Sequence, residues 1–568
     1  MRLRNNKGVA FVYTLFTVVI LMILSTLFVL RTVHEHRMAQ IERNLTKSFY
    51  ASHGGANAGI DGLDNLINNF LLNTIASATP SGVVSTATSY VSSKDGVGWL
   101  LYAVRDSTGT PVLSVNEAQA EYTQSGTLGN TNYQYTIVIT EKSDPITVNT
   151  DTWDFPFFYK IRATATHGGT SQNVIISGDF TVRLQKDNFA KYALFTNSQT
   201  LPSGTNVWFT DKTNFSGPVH TNERFNIALN PSGTFEGLVE QRRQEARFYN
   251  AGWPVLLDAD FNGTRDVPTF NAGFNRNVSP ITLSSSTDKQ SMIDQATNKT
   301  NITTNGIHVP NDGTQMTGGI YVRGDSTINM SVDNNSNAVY SIVQGTDSKV
   351  ITVDRVLQQT TVQNVSTSTT TTYAGLPDGI ENVGTLIYAE GNITSLQGTV
   401  QADTQMTIAS SQDMILTNHI RYTNYTPAVG TPGTAGYTPP HANGTTNLLG
   451  LVSWDSNIRI STSAPNDIQV HGTLLARNGI FQVDSYNDTS VGPRGTATLL
   501  GGIISNNYGA FGLFNGTTGE QTAGYGRNFV YDERMKTGSA PPYFPSLNTF
   551  IAFTNDIADK MVWQGGEN

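Results

Sequence analysis

At 568 residues the chain is too long for one ordinary domain, and length alone predicts several units of roughly 150 residues each. Only 14% of its residues are charged, against roughly 25% in an average soluble domain. Asn, Thr, Ser and 52 Gly take their place, a mixture that suits half-buried strands and turns better than helices. The absence of Cys excludes a disulfide framework, thiolate metal sites and cysteine nucleophiles. A net charge of −9 offers no overall attraction to nucleic acid, and 22 Tyr with 26 Phe exclude a wholly disordered chain.

Val9 to Leu30 is an uncharged run of 22 residues. As a helix it would span about 33 Å, enough to cross a bilayer. Arg2, Arg4 and Lys7 precede it, so the positive-inside rule keeps the N-terminus cytoplasmic and exports the chain beyond Leu30. The run exceeds the apolar core of a secretory signal and no small-x-small cleavage site comes after it; a plain membrane anchor is the lesser alternative. Phe49, Ala56, Ile60, Leu63, Ile67 and Phe70 then recur at helical spacing. They predict one long helix from about Val9 to Leu72, in which Gly54, Gly55, Gly59 and Gly62 lower helix propensity and allow a bend.

The leader ending Lys7-Gly8, the uncharged start Val9-Ala10-Phe11-Val12 and the later Phe49-Tyr50-Ala51 resemble a type IV pilin-like prepilin. Within that group the nearest resemblance is to large minor pilins with a PilX-type N-terminus. It implies cleavage after Gly8 by a prepilin peptidase, methylation of Val9, anchoring in the inner membrane, and other pilins as partners. Two departures stand out: Val9 replaces the usual Phe, and Tyr13 occupies the fifth mature position, where major pilins carry Glu. That Glu neutralises a neighbour's N-terminal amine inside an apolar bundle, where an unpaired charge is costly. A subunit with no neighbour beyond its end has no need of it, so Tyr13 points to a tip or priming subunit; a pilin-like anchor outside any filament fits the same departure.

From about Ile75 to Leu184 the pattern reads as period two, as in Tyr135 to Thr140 and Tyr159 to Ala165. A second unit begins near Asn188, and Phe215 to Asn222 resembles a stretch of the large minor pilin ectodomains. From Gly384 to Phe514 the apolar pairs Leu386-Ile387, Leu451-Val452, Leu474-Leu475 and Ile503-Ile504 read as coils of a β-solenoid; a β-sandwich fits the degenerate repeat as well. Thr423 to Asn447 and the Thr-rich run Ser366 to Thr372 read as excursion loops. The stretch from Gly524 to Pro545 resembles the terminal signature of the large minor pilins, and its prolines and aromatics suggest a cap over the solenoid's exposed edge. Together these features resemble competence-associated pilins that carry a β-solenoid insert.

The expected fold is therefore α+β. A long N-terminal transmembrane pilin helix packs on an antiparallel β head, followed by a mostly β ectodomain with a β-solenoid-like region. The expected boundaries are a leader at 1–8, the helix at 9–72, the head at 75–187, a β-rich unit at 188–383, the solenoid-like region at 384–515 and the cap at 516–568. The implied role is a minor pilus subunit that presents its ectodomain at the cell surface for adhesion or DNA uptake, with DNA or surface glycan as ligand. A membrane-anchored polysaccharide-active β-helix enzyme is the alternative, although no nucleophile elbow, phosphate loop or metalloprotease motif is present.

One segment carries metal chemistry on its own. Asp258, Asp260, Asn262, Thr264 and Asp266, with Gly263 as the turn residue, match the front of a calcium loop. The bidentate Glu of an EF-hand is replaced by Thr269, so calcium in a different loop type, or an ion-free turn, fits the spacing. Arg242, Arg243 and Arg247 lie beside Phe248, Tyr249 and Trp253. Cations with aromatics suit a nucleic-acid strand, and a solvated helix face suits the same arginines. His220 lacks a Ser or Asp at triad spacing and reads as a structural histidine. Arg323-Gly324-Asp325 matches an adhesion tripeptide but reads as ordinary turn chemistry, and His34 with His36 lacks the spacing of a zinc site.

Overall fold

The computed structural model describes residues 7–71, 74–75, 78–116, 118–149, 152–209, 213–228, 233–250, 253–257, 268–283, 286–379, 381–430, 436–441, 446–515, 520–554 and 562–566. The fold is α+β, and the chain divides into two compact units, 1–186 with 548–568, and 187–547. The second unit is thus inserted into the first.

In the first unit a helix runs from Lys7 to Asn65 and continues as a wider π turn over Leu66–Leu71. Its apolar N-terminal window has a mean hydropathy of 2.5 and is 0% buried, so it is long and apolar enough to cross a membrane. The C-terminal half packs on a twisted antiparallel sheet. The order there is Ser114–Asn116, Gln119–Leu128, Thr131–Glu141, Thr152–His167, Thr170–Asn188 and Ser546–Thr554, with Val562–Gly566 also on the Thr170–Asn188 strand. Trp153, Phe155, Phe157, Tyr159, Ile161, Ala163 and Ala165 alternate onto one face. There they meet Leu63, Leu66 and Ile67 of the helix in one core.

The glycines of this helix do something other than permit a bend. A β-carbon on Gly59 would lie 2.4 Å from Ile161 Cγ2, and one on Gly55 would lie 2.8 Å from Tyr133 Cδ2. They let the helix backbone approach the sheet. The period-two reading after Ile75 also needs correction, because Pro80–Ser93 and Gly96–Ala103 are helices. Caps decide these segments against their β-branched content: the Thr79 hydroxyl accepts from Gly82 N with Pro80 in the first turn, and Asp95 accepts from Gly98 N at 2.7 Å.

The second unit is a β-solenoid, built from two stacks of parallel strands. One stack runs, in spatial order, Ile320–Arg323, Thr385–Glu390, Gln405–Ser410, Leu448–Ser453, Thr473–Val483, Ile503–Asn507, Leu194–Ser198, Val219–Thr221, Val239–Gln241 and Phe274–Asn275. The other includes Ser326–Val332, Ile393–Val400, Met414–Tyr422, Ile458–Ile460, Pro493–Leu500 and Gln521–Val530. Spatial order departs from chain order. The chain enters at Leu194, builds toward Phe274, and continues through the helix Ser286–Thr297 to Ile320 at the opposite end of the stack. It then coils back until Ile503 meets Leu194.

Register places Ile320, Ile387, Ile408, Leu451, Leu474, Ile503, Leu194, Val219 and Val239 in one column, all buried. Two residues further along each strand, Ala389, Ser410, Ser453, Ala476, Ser505, Thr196, Thr221 and Gln241 form a column of small or polar residues. Ser410 and Ser453 donate to Gln412 O at 2.7 and 2.8 Å, and Thr196 Oγ1 donates to Thr221 Oγ1 at 2.9 Å. The pair Leu386-Ile387 is offset by one residue, since Ile387 and Tyr388 occupy the columns of Leu451 and Val452.

Two further expectations change. The Thr-rich run is a turn only up to Ser368: Thr369–Ala374 pairs with Gln359–Asn364 in an antiparallel arm that leaves the second stack at Ser326–Val332, as β-branched Thr favours. The stretch 516–568 divides instead of capping an edge. Gln521–Val530 is a coil strand, and Pro541, Pro542 and Phe544 lie against Gly450 and Thr407 on a sheet face. The last strands belong to the head sheet.

Candidate functional site

Gly8 and Val9 lie in the first turn of the long helix, and residues 1–6 of the leader fall outside the described residues. Val9, Val12, Tyr13 and Phe16 are exposed beside Gly8. The hydroxyls of Thr14, Thr17, Thr26 and Thr32 donate to carbonyls four residues back, at 2.7 to 2.9 Å. This apolar segment therefore carries no side-chain polar demand that a bilayer would leave unmet at those threonines. The first ion pair after it is Arg31 with Glu35, at 3.0 Å. His34 and His36 are exposed on the same helix.

Asp258, Asp260, Asn262, Thr264 and Asp266 lie outside the described residues. Among the described residues no group of three His, Asp or Glu is placed to hold a metal ion. The arginine stretch is strand, turn and strand, not a helix face: Val239–Gln241 leads through a turn into Ala246–Asn250. Arg243 pairs with Glu223 at 3.3 Å and Arg247 donates to Asn226 Oδ1 at 3.0 Å, while Arg242 is exposed. Tyr249 is placed by its backbone opposite Pro254, and its side chain lies outside the described set. Two of the three cations are thus engaged by neighbours.

His220 is buried in the solenoid, stacked on Phe195 with ring centroids 5.1 Å apart. Its Nε2 meets Asn222 Oδ1 at 3.1 Å and its Nδ1 meets Glu240 Oε2 at 3.5 Å. The hydrogen bond from His220 holds the Glu240 carboxyl below its ordinary range, against the opposing effect of burial. The ring's partners are those of a structural histidine. Arg323-Gly324-Asp325 is similarly occupied: Arg323 donates to Glu390 and Ile302 O, and Asp325 accepts from the backbone and side chain of Asn392.

Sequence reasoning misses one arrangement. Immediately after the column of small or polar residues, Arg477, Asn506, Asn197 and Asn222 stand on consecutive coils of one stack. Asn222 Nδ2 donates to Asn197 Oδ1 at 3.1 Å, Asn197 Nδ2 to Asn506 Oδ1 at 3.0 Å, and Asn506 Nδ2 to Asn507 Oδ1 at 2.9 Å. Asn222 is fixed from the other side by Ile281, whose N–H donates to its Oδ1 and whose carbonyl accepts from its Nδ2. The ladder floors a cleft of about 290 Å³ whose lining includes Pro280, Ile281, Thr282 and Leu283, with Arg477 and Asn478 also on its wall. The signal exists in the sequence: Leu194-Phe195-Thr196-Asn197, Val219-His220-Thr221-Asn222 and Ile503-Ile504-Ser505-Asn506 share one pattern.

Residues 154–241 match a family described as a domain of unknown function, DUF4900, a stretch that begins in the head sheet and ends in the solenoid strand Val239–Gln241. No curated protein matches the chain. Among solved structures the chain is similar to the competence-associated pilin ComZ from Thermus thermophilus, with 11% identity and a TM-score of 0.29 over 92% of this chain and 99% of that one.

Proposed function

We propose that the chain is a pilin-like minor subunit, cut after Gly8 by a prepilin peptidase, methylated at Val9 and held in the inner membrane by its helix. Other pilins are its partners, and the β-solenoid is the surface it presents outside the cell for adhesion or DNA uptake. The observation that carries this reading is the division of one helix: an uncharged, exposed N-terminal segment from Val9 to Leu30 and a C-terminal part seated through Gly55 and Gly59 on an antiparallel sheet. Tyr13, exposed where a filament-body subunit needs a carboxylate, favours the tip or a priming complex. Calcium in the loop from Asp258 to Asp266 would brace the segment before Thr269–Phe270. N-terminal sequencing of membrane-extracted protein should begin at Val9; an intact Met1, or a cut beyond Leu30, would leave only an anchor or a secreted protein.

A further inference from the structure

We infer that the asparagine-floored cleft of the solenoid binds a glycan. Each planar amide has two N–H donors and two carbonyl lone pairs. Among the described residues, the ladder uses one of each on Asn197 and on Asn506, so both keep a donor and an acceptor side by side. Adjacent hydroxyls of a sugar ring, each both donor and acceptor, complete such a pair. Parallel coils hold the amides about 4.8 Å apart, and the ladder bonds fix their rotation before any ligand arrives, which limits the entropy lost on binding. Pro280, Ile281 and Leu283 supply an apolar wall. A pyranose has the same two-sidedness, with hydroxyls at its edge and C–H groups on its faces. The volume of about 290 Å³ suits one or two sugar units rather than a long buried ligand.

Nucleic acid is the less suitable occupant. A strand of it needs repeated cations along its phosphates and aromatic rings beneath its bases. The cleft lining holds one cation, Arg477, and no aromatic ring. Arg477 also gives a uronic acid or other carboxylate-bearing sugar a charged partner that a neutral sugar lacks.

The inference rests on the surface-subunit reading for its setting, but the test needs no pilus, so it can fail or hold independently of cleavage after Gly8. Full-length protein in a detergent without sugar headgroups is mixed with a panel of neutral and uronic-acid disaccharides, and saturation-transfer NMR reads binding. Transfer to at least one disaccharide is expected, with affinity falling about tenfold or more in Asn197→Ala/Asn506→Ala while amide hydrogen exchange shows the strands Leu194–Ser198 and Ile503–Asn507 still folded. Should the double variant fold poorly, Asn197→Ala alone carries the comparison, since Asn197 is exposed. No transfer from any disaccharide at millimolar concentration would overturn the inference, as would transfer that survives the substitutions. Displacement of the sugar by a tighter-binding single-stranded oligonucleotide would assign the cleft to DNA and overturn it as well.

Discussion

Replacing Gly59 by Ala sets two effects of known sign against each other. Ala gains about 1 kcal/mol over Gly in a helix interior. The new β-carbon, however, would sit 2.4 Å from Ile161 Cγ2, whereas carbon atoms pack at about 3.5–4.0 Å. Ile161 is fully buried in the strand Thr152–His167, between neighbours on both sides of the sheet, so it cannot swing away as a surface side chain would. Forced insertion of a methyl into such a core costs about 1–3 kcal/mol, and more where the backbone must move. A contact of 2.4 Å places the cost in the upper part of that range, about 2–3 kcal/mol, so the expected net is a loss of about 1–2 kcal/mol. Because the chain has two units, a single melting curve would mix them; amide hydrogen exchange read on peptides of Thr131–Glu141 and Thr152–His167 isolates the head. Protection there should fall about tenfold for 1.4 kcal/mol, with the solenoid unchanged. In Gly59→Ala/Ile161→Ala the added methyl fills space the isoleucine vacates, so the pair should be less destabilised than the sum by about 1 kcal/mol or more. A Gly59→Ala variant as well protected as the parent, or additive energies, would refute the close approach of helix to sheet.

Two buried histidines give the solenoid an acid sensitivity. Burial is the main cause that lowers His471 to about 3 and His441 to about 4 from 6.5. Arg421 adds to the shift at His471 and Arg534 to that at His441, with Asp532 opposing at the latter. The unfolded chain therefore takes up protons first, and stability falls as pH drops from 6.5 toward the folded values, by up to about 1.4 kcal/mol per pH unit for each histidine. The solenoid's own transition, resolved from that of the first unit by differential scanning calorimetry and followed between pH 6.5 and 5, above most carboxylate titration, should show this decline. His471→Asn, which keeps an acceptor for Tyr422 N, should flatten it; a flat parent profile would contradict the burial. For the loop from Asp258 to Asp266, millimolar calcium should raise the melting temperature through preferential binding to the folded state. Asp260→Ala should abolish that rise with little effect in the absence of calcium, and a rise that survives would place the ion elsewhere.

The helix and the solenoid are legible for different reasons. An uncharged run from Val9 to Leu30 has few alternatives to a helix that can cross a membrane. Leu451-Val452, Leu474-Leu475 and Ile503-Ile504 announce coils because chain neighbours stack on one another. The other half of the stack is hidden: Leu194-Phe195 pairs with Ile503-Ile504 across some three hundred residues of sequence, and no repeat period records such a closure. The amide ladder is half hidden for the same reason: Asn197 and Asn222 stand on neighbouring coils 25 residues apart, but Asn506 joins them only through that closure. The helices at Pro80–Ser93 and Gly96–Ala103 escape notice because their caps, Thr79 and Asp95, outweigh a composition that reads as strand. At Gly55 and Gly59 the sequence marks the right residues, but propensity alone suggests a bend, and only the facing Tyr133 and Ile161 explain them.

Release from the cell surface tests the pilin-like reading most directly. Surface material sheared from cells that carry the parent chain should contain the mature protein beginning at Val9. Gly8→Val, which leaves the apolar helix and both folded units intact, should keep the leader, remain in the inner membrane and be absent from the sheared fraction. Equal release of the parent and Gly8→Val chains, or retention of both in the membrane, would contradict assembly through a processed pilin helix.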